Sequence, residues 1–143
     1  MTLDSKVWGP HYWFVFHTIA LKYPLYPNET SKKKYYDFIQ NIPLFIPNNN
    51  MGNLFSELLD KYPVTPYLDS RESMIKWFHF IHNKINISLN IPEKSMQESF
   101  HDYYKNYEPI ETKIKNDIVK REHYIFFSLL TILIMLSVSM YKK

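Results

Sequence analysis

The sequence predicts an all-α fold, a bundle of four to five helices followed by a C-terminal transmembrane helix. Prolines divide most of the 143-residue chain into segments whose apolar side chains recur at helical spacing. No segment alternates apolar and polar residues as a half-buried strand would. Residues 124–141 contain no charged side chain, which is typical of a membrane span.

Prolines set the predicted bounds of the first two helices. The first helix is predicted to begin at Pro10 and to end before Pro24, because its apolar residues share a face. The second is predicted over residues 31–42, closed by Pro43 and Pro47. A proline favours a helix start but interrupts a helix interior.

The next three helices carry clearer start and stop signals. The third is predicted over residues 48–61, with Asn48 as its N-cap. Ser70 is the predicted N-cap of the fourth, which Pro92 stops. A weaker fifth helix is predicted over residues 96–107.

The uncharged segment 124–141 is the predicted membrane span. As a helix it would be about 27 Å long, close to the thickness of the hydrocarbon core. The alternative is a buried core helix, but a small domain rarely buries a helix that is apolar on every face. Because two residues follow it, we expect a tail anchor, with residues 1–123 facing the cytosol. The predicted domains are therefore a helical domain (1–107), a charged connector (108–123) and the span.

The composition excludes several classes of function. The chain has no cysteine and only two glycines, so it has neither a disulfide nor a glycine-rich phosphate loop. Residues 1–123 carry 15 Lys and Arg against 14 Asp and Glu, a net charge of +1 that predicts no nucleic-acid partner. His17, His79 and His82 have no carboxylate at ligand spacing, so no metal site is predicted.

Two sets of residues form a pattern of defined order and spacing, together with Ile46-Pro47 before the third helix. The first set is Trp8-Gly9-Pro10, Trp13, His17-Thr18, Ala20 and Tyr23-Pro24, and the second is Ser70-Arg71, Trp77, His82-Asn83, Ile85-Asn86 and Leu89. This pattern resembles the FAD-linked sulfhydryl oxidases of the Erv/ALR family, including the short forms of large DNA viruses. The resemblance covers about residues 7–92.

This resemblance implies an Erv/ALR-like FAD-binding bundle, usually a homodimer. It also implies a reaction in which thiols and O2 give a disulfide and H2O2, through a Cys-x-x-Cys pair beside the flavin. The cofactor-binding residues that it implies are Trp8, Gly9, Trp13, His17, Tyr23, Trp77, His82, Asn83, Asn86 and Leu89. The alternative for the tryptophans and histidines is a purely structural role in the core.

The sequence departs from the family at the redox pair. Asn48 and Met51 stand where the resemblance places the two cysteines, and neither side chain can form a thiolate or a disulfide. No catalytic residue is therefore predicted. A lysine common in the family, which would balance FAD phosphates, is replaced by Ile91, and Lys94 is the candidate to compensate in part.

The leading hypothesis is a membrane-anchored homologue without the redox pair, retained as a FAD-binding or structural component. Its expected setting is a host or virion membrane, with other virion or assembly proteins as partners. One alternative is an active FAD-dependent thiol oxidase, by family assignment. The other is a cofactor-free, tail-anchored helical scaffold.

Overall fold

The computed structural model describes residues 3–141, which are helical without strands, so the predicted fold class is confirmed. The chain forms two compact units, and the boundary between them lies between Tyr103 and Tyr104. Short 3-10 turns lie at Thr65–Tyr67 and Lys105–Tyr107. The α-helices within the described residues are α1 (Ser5–Lys22), α2 (Glu29–Phe45), α3 (Asn49–Lys61), α4 (Arg71–Ser88), α5 (Met96–Tyr104) and α6 (Ile110–Tyr141).

The core of the first unit lies where α1 packs on α4 and α2 packs on α3. Phe78 and Ile81 of α4 are fully buried, and the Phe78 ring stacks on Phe16 of α1 with centroids 6.0 Å apart. Burial of large apolar side chains supplies most of the stability of a bundle of this size. The other core members include Phe16, Ala20, Ile39, Ile42, Phe55, Leu59, Met74, Trp77 and Ile85.

The helix start predicted at Pro10 and the helix end predicted at Pro43 are wrong, because both prolines lie inside their helices, whereas α1 ends before Pro24 as predicted. Helix α1 begins five residues before Pro10, because the Asp4 side chain accepts a hydrogen bond from the Lys6 amide at 2.9 Å. Helix α2 continues through Pro43 to Phe45. The residue before Pro47 is extended, as sterics require, and this ends the helix.

The predicted caps of α3 and α4 are confirmed, but α4 ends before Pro92. The Ser70 hydroxyl accepts from the Ser73 amide at 3.1 Å. At the other end, Asn90 takes a left-handed conformation with φ 57°. The Ile91 amide then donates to the Asn86 carbonyl at 2.8 Å, so the helix ends at Ser88, three residues before the last position that Pro92 would allow.

A close approach of α2 and α3 gives a prediction about Gly52. A Cβ at this position would lie 2.9 Å from the Pro43 carbonyl oxygen. We therefore expect Gly52→Ala to lower the free energy of unfolding by about 1–3 kcal/mol, despite the better helix propensity of alanine. Urea denaturation measures this change.

Gly9→Ala is the matched control, because nothing lies within 4 Å of its added Cβ. This variant should gain up to about 1 kcal/mol from helix propensity. Equal effects of the two substitutions would contradict the close approach.

The second unit contains α6, which runs unbroken from Ile110 to Tyr141 and includes the predicted span. Its 32 residues correspond to about 48 Å, and its most apolar window has a mean hydropathy of 2.0 with no residue buried. Length and composition therefore allow this helix to cross a membrane. Most of the predicted charged connector is the helical first part of α6.

Candidate functional site

Three of the predicted site residues form an aromatic–histidine cluster between α1 and α4. The Trp13 and His82 rings are stacked, with centroids 3.9 Å apart and planes 9° apart. His17 Nε2 lies 3.1 Å from His82 Nδ1, which is hydrogen-bond distance. Trp13 and His17 are one turn apart on α1, so both side chains face α4. The structure thus brings together three of the residues predicted to bind the cofactor, and their cofactor role stays a prediction.

Burial keeps this cluster uncharged. It lowers the pKa of His17 to about 4, with a smaller contribution from His79. It lowers the pKa of His82 to about 3, with smaller contributions from His17, Lys94 and His79. Both imidazoles are therefore neutral at pH 7, and each offers one donor and one acceptor.

Asn83 and His79 extend the cluster toward α5. The Asn83 side chain donates to the Lys94 carbonyl at 2.8 Å and accepts from the Lys94 amide at 3.0 Å. His79 lies 3.3 Å from Asn83 Nδ2 and 3.1 Å from the Ser99 hydroxyl. Burial lowers the pKa of His79 as well.

Helix α5 covers this region with residues that sequence reasoning missed. The Tyr103 hydroxyl lies 2.9 Å from the Thr18 hydroxyl, and the Tyr103 ring stacks on Phe14 at 5.2 Å. Tyr103 is 85 positions from Thr18 in sequence, so no local pattern joins them. Tyr103 is buried in α5, whose Met96, Ser99 and Phe100 are half-buried.

A small cavity of about 10 Å³, with room for about one water molecule, lies between these three helices. Within residues 3–141, no three His, Asp or Glu side chains are arranged to hold a metal ion. Side chains that line the cavity include His17, Ala20, Ile75, His79, Ser99 and Phe100. The cavity lining is thus mostly apolar, and each of the three helices contributes a polar side chain: His17 from α1, His79 from α4 and Ser99 from α5.

Two other predicted site residues are structural members of the core. The Tyr23 hydroxyl donates to the Leu68 carbonyl at 2.7 Å, and Tyr23 is fully buried. Trp77 is 1% exposed, and its indole N–H donates to the Tyr62 carbonyl at 3.0 Å. Their polar atoms are therefore used within the protein, and a cofactor-binding role for them stays a prediction.

The remaining predicted residues lie around the cluster without joining it. Trp8 packs edge-on against Tyr12 at 5.1 Å, and Gly9 is half-buried beside it. Asn86 is buried near the C-terminal end of α4, whereas Leu89 at that end is 42% exposed. The cofactor roles predicted for these residues stay predictions too.

Asn48 and Met51 each stabilise the start of α3. Asn48 is the N-cap, and its side-chain oxygen accepts from the Met51 amide at 3.1 Å. Met51 is partly buried and packs against the hydrophobic core. These two positions are three residues apart at a helix N-terminus, and their side chains contribute a cap and an apolar contact.

Comparison with known proteins identifies the family. The profile of the Erv1 / Alr family matches residues 10–108, which is more than half of the chain. The chain belongs to the Erv1/Alr family. The region matched contains the aromatic–histidine cluster, the start of α3 and all of α5, so the site described above lies within the part common to the Erv1/Alr family.

Viral Erv1/Alr relatives are similar over this region. A probable FAD-linked sulfhydryl oxidase of Acanthamoeba polyphaga mimivirus is 35% identical over 85 residues, 59% of this chain and 59% of that protein. A putative FAD-linked sulfhydryl oxidase of Invertebrate iridescent virus 3 is 26% identical over 103 residues, 72% of this chain and 70% of that protein. The match thus spans less than two thirds of the mimivirus protein.

Solved structures of the Erv1/Alr family share the fold. The FAD-binding domain of Erv1 from Saccharomyces cerevisiae superposes with a TM-score of 0.65 at 23% identity, covering 74% of this chain and 99% of that one. The yeast Erv1 core gives a TM-score of 0.62 at 24% identity, covering 74% and 85%. The predicted Erv/ALR-like bundle is therefore confirmed.

Proposed function

We propose that this protein is a membrane-anchored Erv1/Alr member that binds FAD and does not oxidise thiols. The observation that carries the proposal is the start of α3, where Asn48 caps the helix and Met51 packs into the core. Thiol oxidation by the family's route requires a thiolate that attacks a disulfide. An amide and a thioether cannot supply one, and the 143 residues contain no cysteine.

The aromatic–histidine cluster has the chemistry that FAD requires. The Trp13 and His82 rings stack on each other at 3.9 Å, so a planar heterocycle would separate them and stack between them, or would stack on an outer face. The neutral imidazoles of His17 and His82 offer uncharged donors and acceptors, which match those of the flavin and adenine rings. The residues present therefore fit the group.

In this proposal Trp13, His17 and His82 hold the cofactor, and Lys94 is the nearest candidate for its phosphates. When bound, FAD supplies a two-electron redox centre. The Lys94 ammonium pairs with Asp102 at 2.5 Å, so this pair must open for Lys94 to contact a phosphate. Ile91, which stands where the family commonly has a lysine, carries no charge that could balance the phosphates.

Flavin content of the purified full chain in detergent tests this proposal. We expect about one FAD per chain after reconstitution, and no dithiol-dependent formation of H2O2. Free FAD at about 100 times Kd should also stabilise the fold by about 2.7 kcal/mol, a rise in melting temperature of about 10 °C or more. Dithiol-dependent formation of H2O2 by the wild-type chain would contradict the proposal that the protein does not oxidise thiols.

A pair of histidine variants localises the cofactor. His17→Leu should abolish FAD-dependent stabilisation, because it removes polar atoms from the cluster. His11→Leu, on the exposed side of the same helix, should bind FAD as the wild type does. Equal loss or equal retention in the two variants would argue against this location.

We propose that residues 124–141 anchor the protein in a host or virion membrane, with residues 1–123 on the cytosolic side. A homodimer and contacts with virion or assembly proteins are part of the same proposal. Replacing Leu130 and Ile134 with lysine should release the protein from membranes in alkaline carbonate, since each charge costs about 3 kcal/mol at the bilayer centre. Retention of that variant in the membrane pellet would contradict the anchor.

A cofactor-free scaffold is the second candidate. It is favoured by the direct stacking of Trp13 on His82 and by Ile91 at the family's lysine position. It predicts a colourless protein whose melting temperature does not respond to FAD. The flavin measurement therefore separates the two candidates.

A further inference from the structure

The hydrogen bonds of Asn83 leave its side chain no free donor for a ligand. One N–H of its amide donates to the Lys94 carbonyl at 2.8 Å, and the amide nitrogen lies 3.3 Å from His79 Nε2. Its oxygen accepts from the Lys94 amide at 3.0 Å. The side chain thus pairs with a backbone amide as a neighbouring strand would.

This arrangement determines the orientation of His79. Because His79 Nε2 accepts from Asn83, the imidazole proton is on Nδ1, which then donates to the Ser99 hydroxyl at 3.1 Å. Asn83 and His79 are one turn apart on α4 and face the same way. One continuous series of hydrogen bonds therefore joins α4 both to the segment before α5 and to α5 itself.

Helix α5 in turn forms one wall of the cavity beside the aromatic–histidine cluster. Ser99 and Phe100 line the cavity opposite His17, and Tyr103 reaches Thr18 of α1. Contacts to α4 and to α1 thus lie at the two sides of the cavity. Loss of the contacts to α4 would therefore weaken the attachment of α5 on one side of the cavity.

We propose that Asn83 is a positioning residue that holds α5 closed over the cofactor cleft, without touching the cofactor. This inference rests on the proposed FAD site for its second step only. The first step, attachment of α5 by Asn83, is a property of the protein alone. Retention of FAD is the second step, because a flavin enclosed by α5 leaves only when α5 opens.

Hydrogen exchange of the full chain in detergent tests the first step without FAD. Asn83→Asp keeps the size of the side chain but removes both N–H donors. We expect the α5 amides to exchange about tenfold faster or more, with α1 and α4 protection retained. Ser99→Ala, which breaks one link of the series, should give a smaller increase. Unchanged α5 protection in Asn83→Asp would overturn the proposal.

Asn53→Asp on the exposed face of α3 is the matched control and should leave α5 unchanged. In FAD-loaded protein, Asn83→Asp should speed flavin release about tenfold or more, with the absorption band of the bound flavin retained. Faster exchange in α5 with unchanged flavin release would overturn the second step. If the wild type takes up no FAD, the proposed function and the second step fail together, and hydrogen exchange still decides the first.

Discussion

The double variant Asn48→Cys/Met51→Cys is expected to gain dithiol oxidase activity. Position 48 is the N-cap of α3 and position 51 lies three residues on, a spacing that lets two cysteines at a helix N-terminus form a disulfide. The amide at 51, which now donates to Asn48, would donate to the thiolate at 48 and lower its pKa. We expect dithiol-dependent H2O2 formation to rise on the order of 100-fold above the wild-type background.

The single variants Asn48→Cys and Met51→Cys are the controls, because neither can form the intramolecular disulfide. Thiol titration and mass measurement report whether the disulfide has formed in the double variant. A double variant that forms the disulfide and binds FAD, yet makes no peroxide, would show that the rest of the site is not competent. A double variant that binds no FAD would instead point to the cofactor-free scaffold.

Acid is expected to destabilise the fold through the His17–His82 pair. Both folded-state pKa values lie below the usual value of 6.5, so the unfolded chain binds more protons than the folded chain at mildly acidic pH. Stability is therefore fully present above about pH 6.5 and falls as the pH drops toward 4. For the pair, the expected loss by pH 5 is on the order of 2–4 kcal/mol.

Thermal unfolding of the full chain in detergent between pH 4.5 and 8 measures this effect. Replacing the pair by His17→Leu and His82→Phe should flatten the pH dependence, whereas His11→Leu should retain it. NMR of the folded wild type provides a second test, since the His17 and His82 rings should stay neutral down to about pH 5. Rings that gain a proton near pH 6.5 without loss of stability would contradict the prediction.

The sequence allowed prediction of the features that depend on local chemistry. The caps at Asn48 and Ser70 were predictable because short polar side chains before an apolar stripe satisfy the first free amides of a helix. His17 and His82 were both singled out by the family resemblance as cofactor-binding residues, whereas their hydrogen bond to each other was not predicted. Helix bounds at Pro10 and Pro43 were wrong because caps and packing outweigh the hydrogen bond that an internal proline removes.

Features that depend on distant contacts were beyond sequence reasoning. Asn83 was predicted to contact a cofactor, but its bonds to Lys94 depend on how the chain turns after Asn90. The Gly52 contact with Pro43 requires the distance between two helices, which no spacing in the sequence gives. Tyr103 is a further case, since it reaches α1 only through the packing of α5.

The helix start at Asn48 and Met51 also has an evolutionary consequence. A first change to cysteine at position 48 would remove a cap worth about 1 kcal/mol, and a first change at 51 would remove part of a core contact. Neither single change provides the redox pair, so the intermediate sequence is less stable and gains no activity. Return to a cysteine pair therefore requires two substitutions with a disadvantaged step between them. Reversion to the cysteine pair is therefore disfavoured, and selection can keep the domain only for functions that need no cysteine pair.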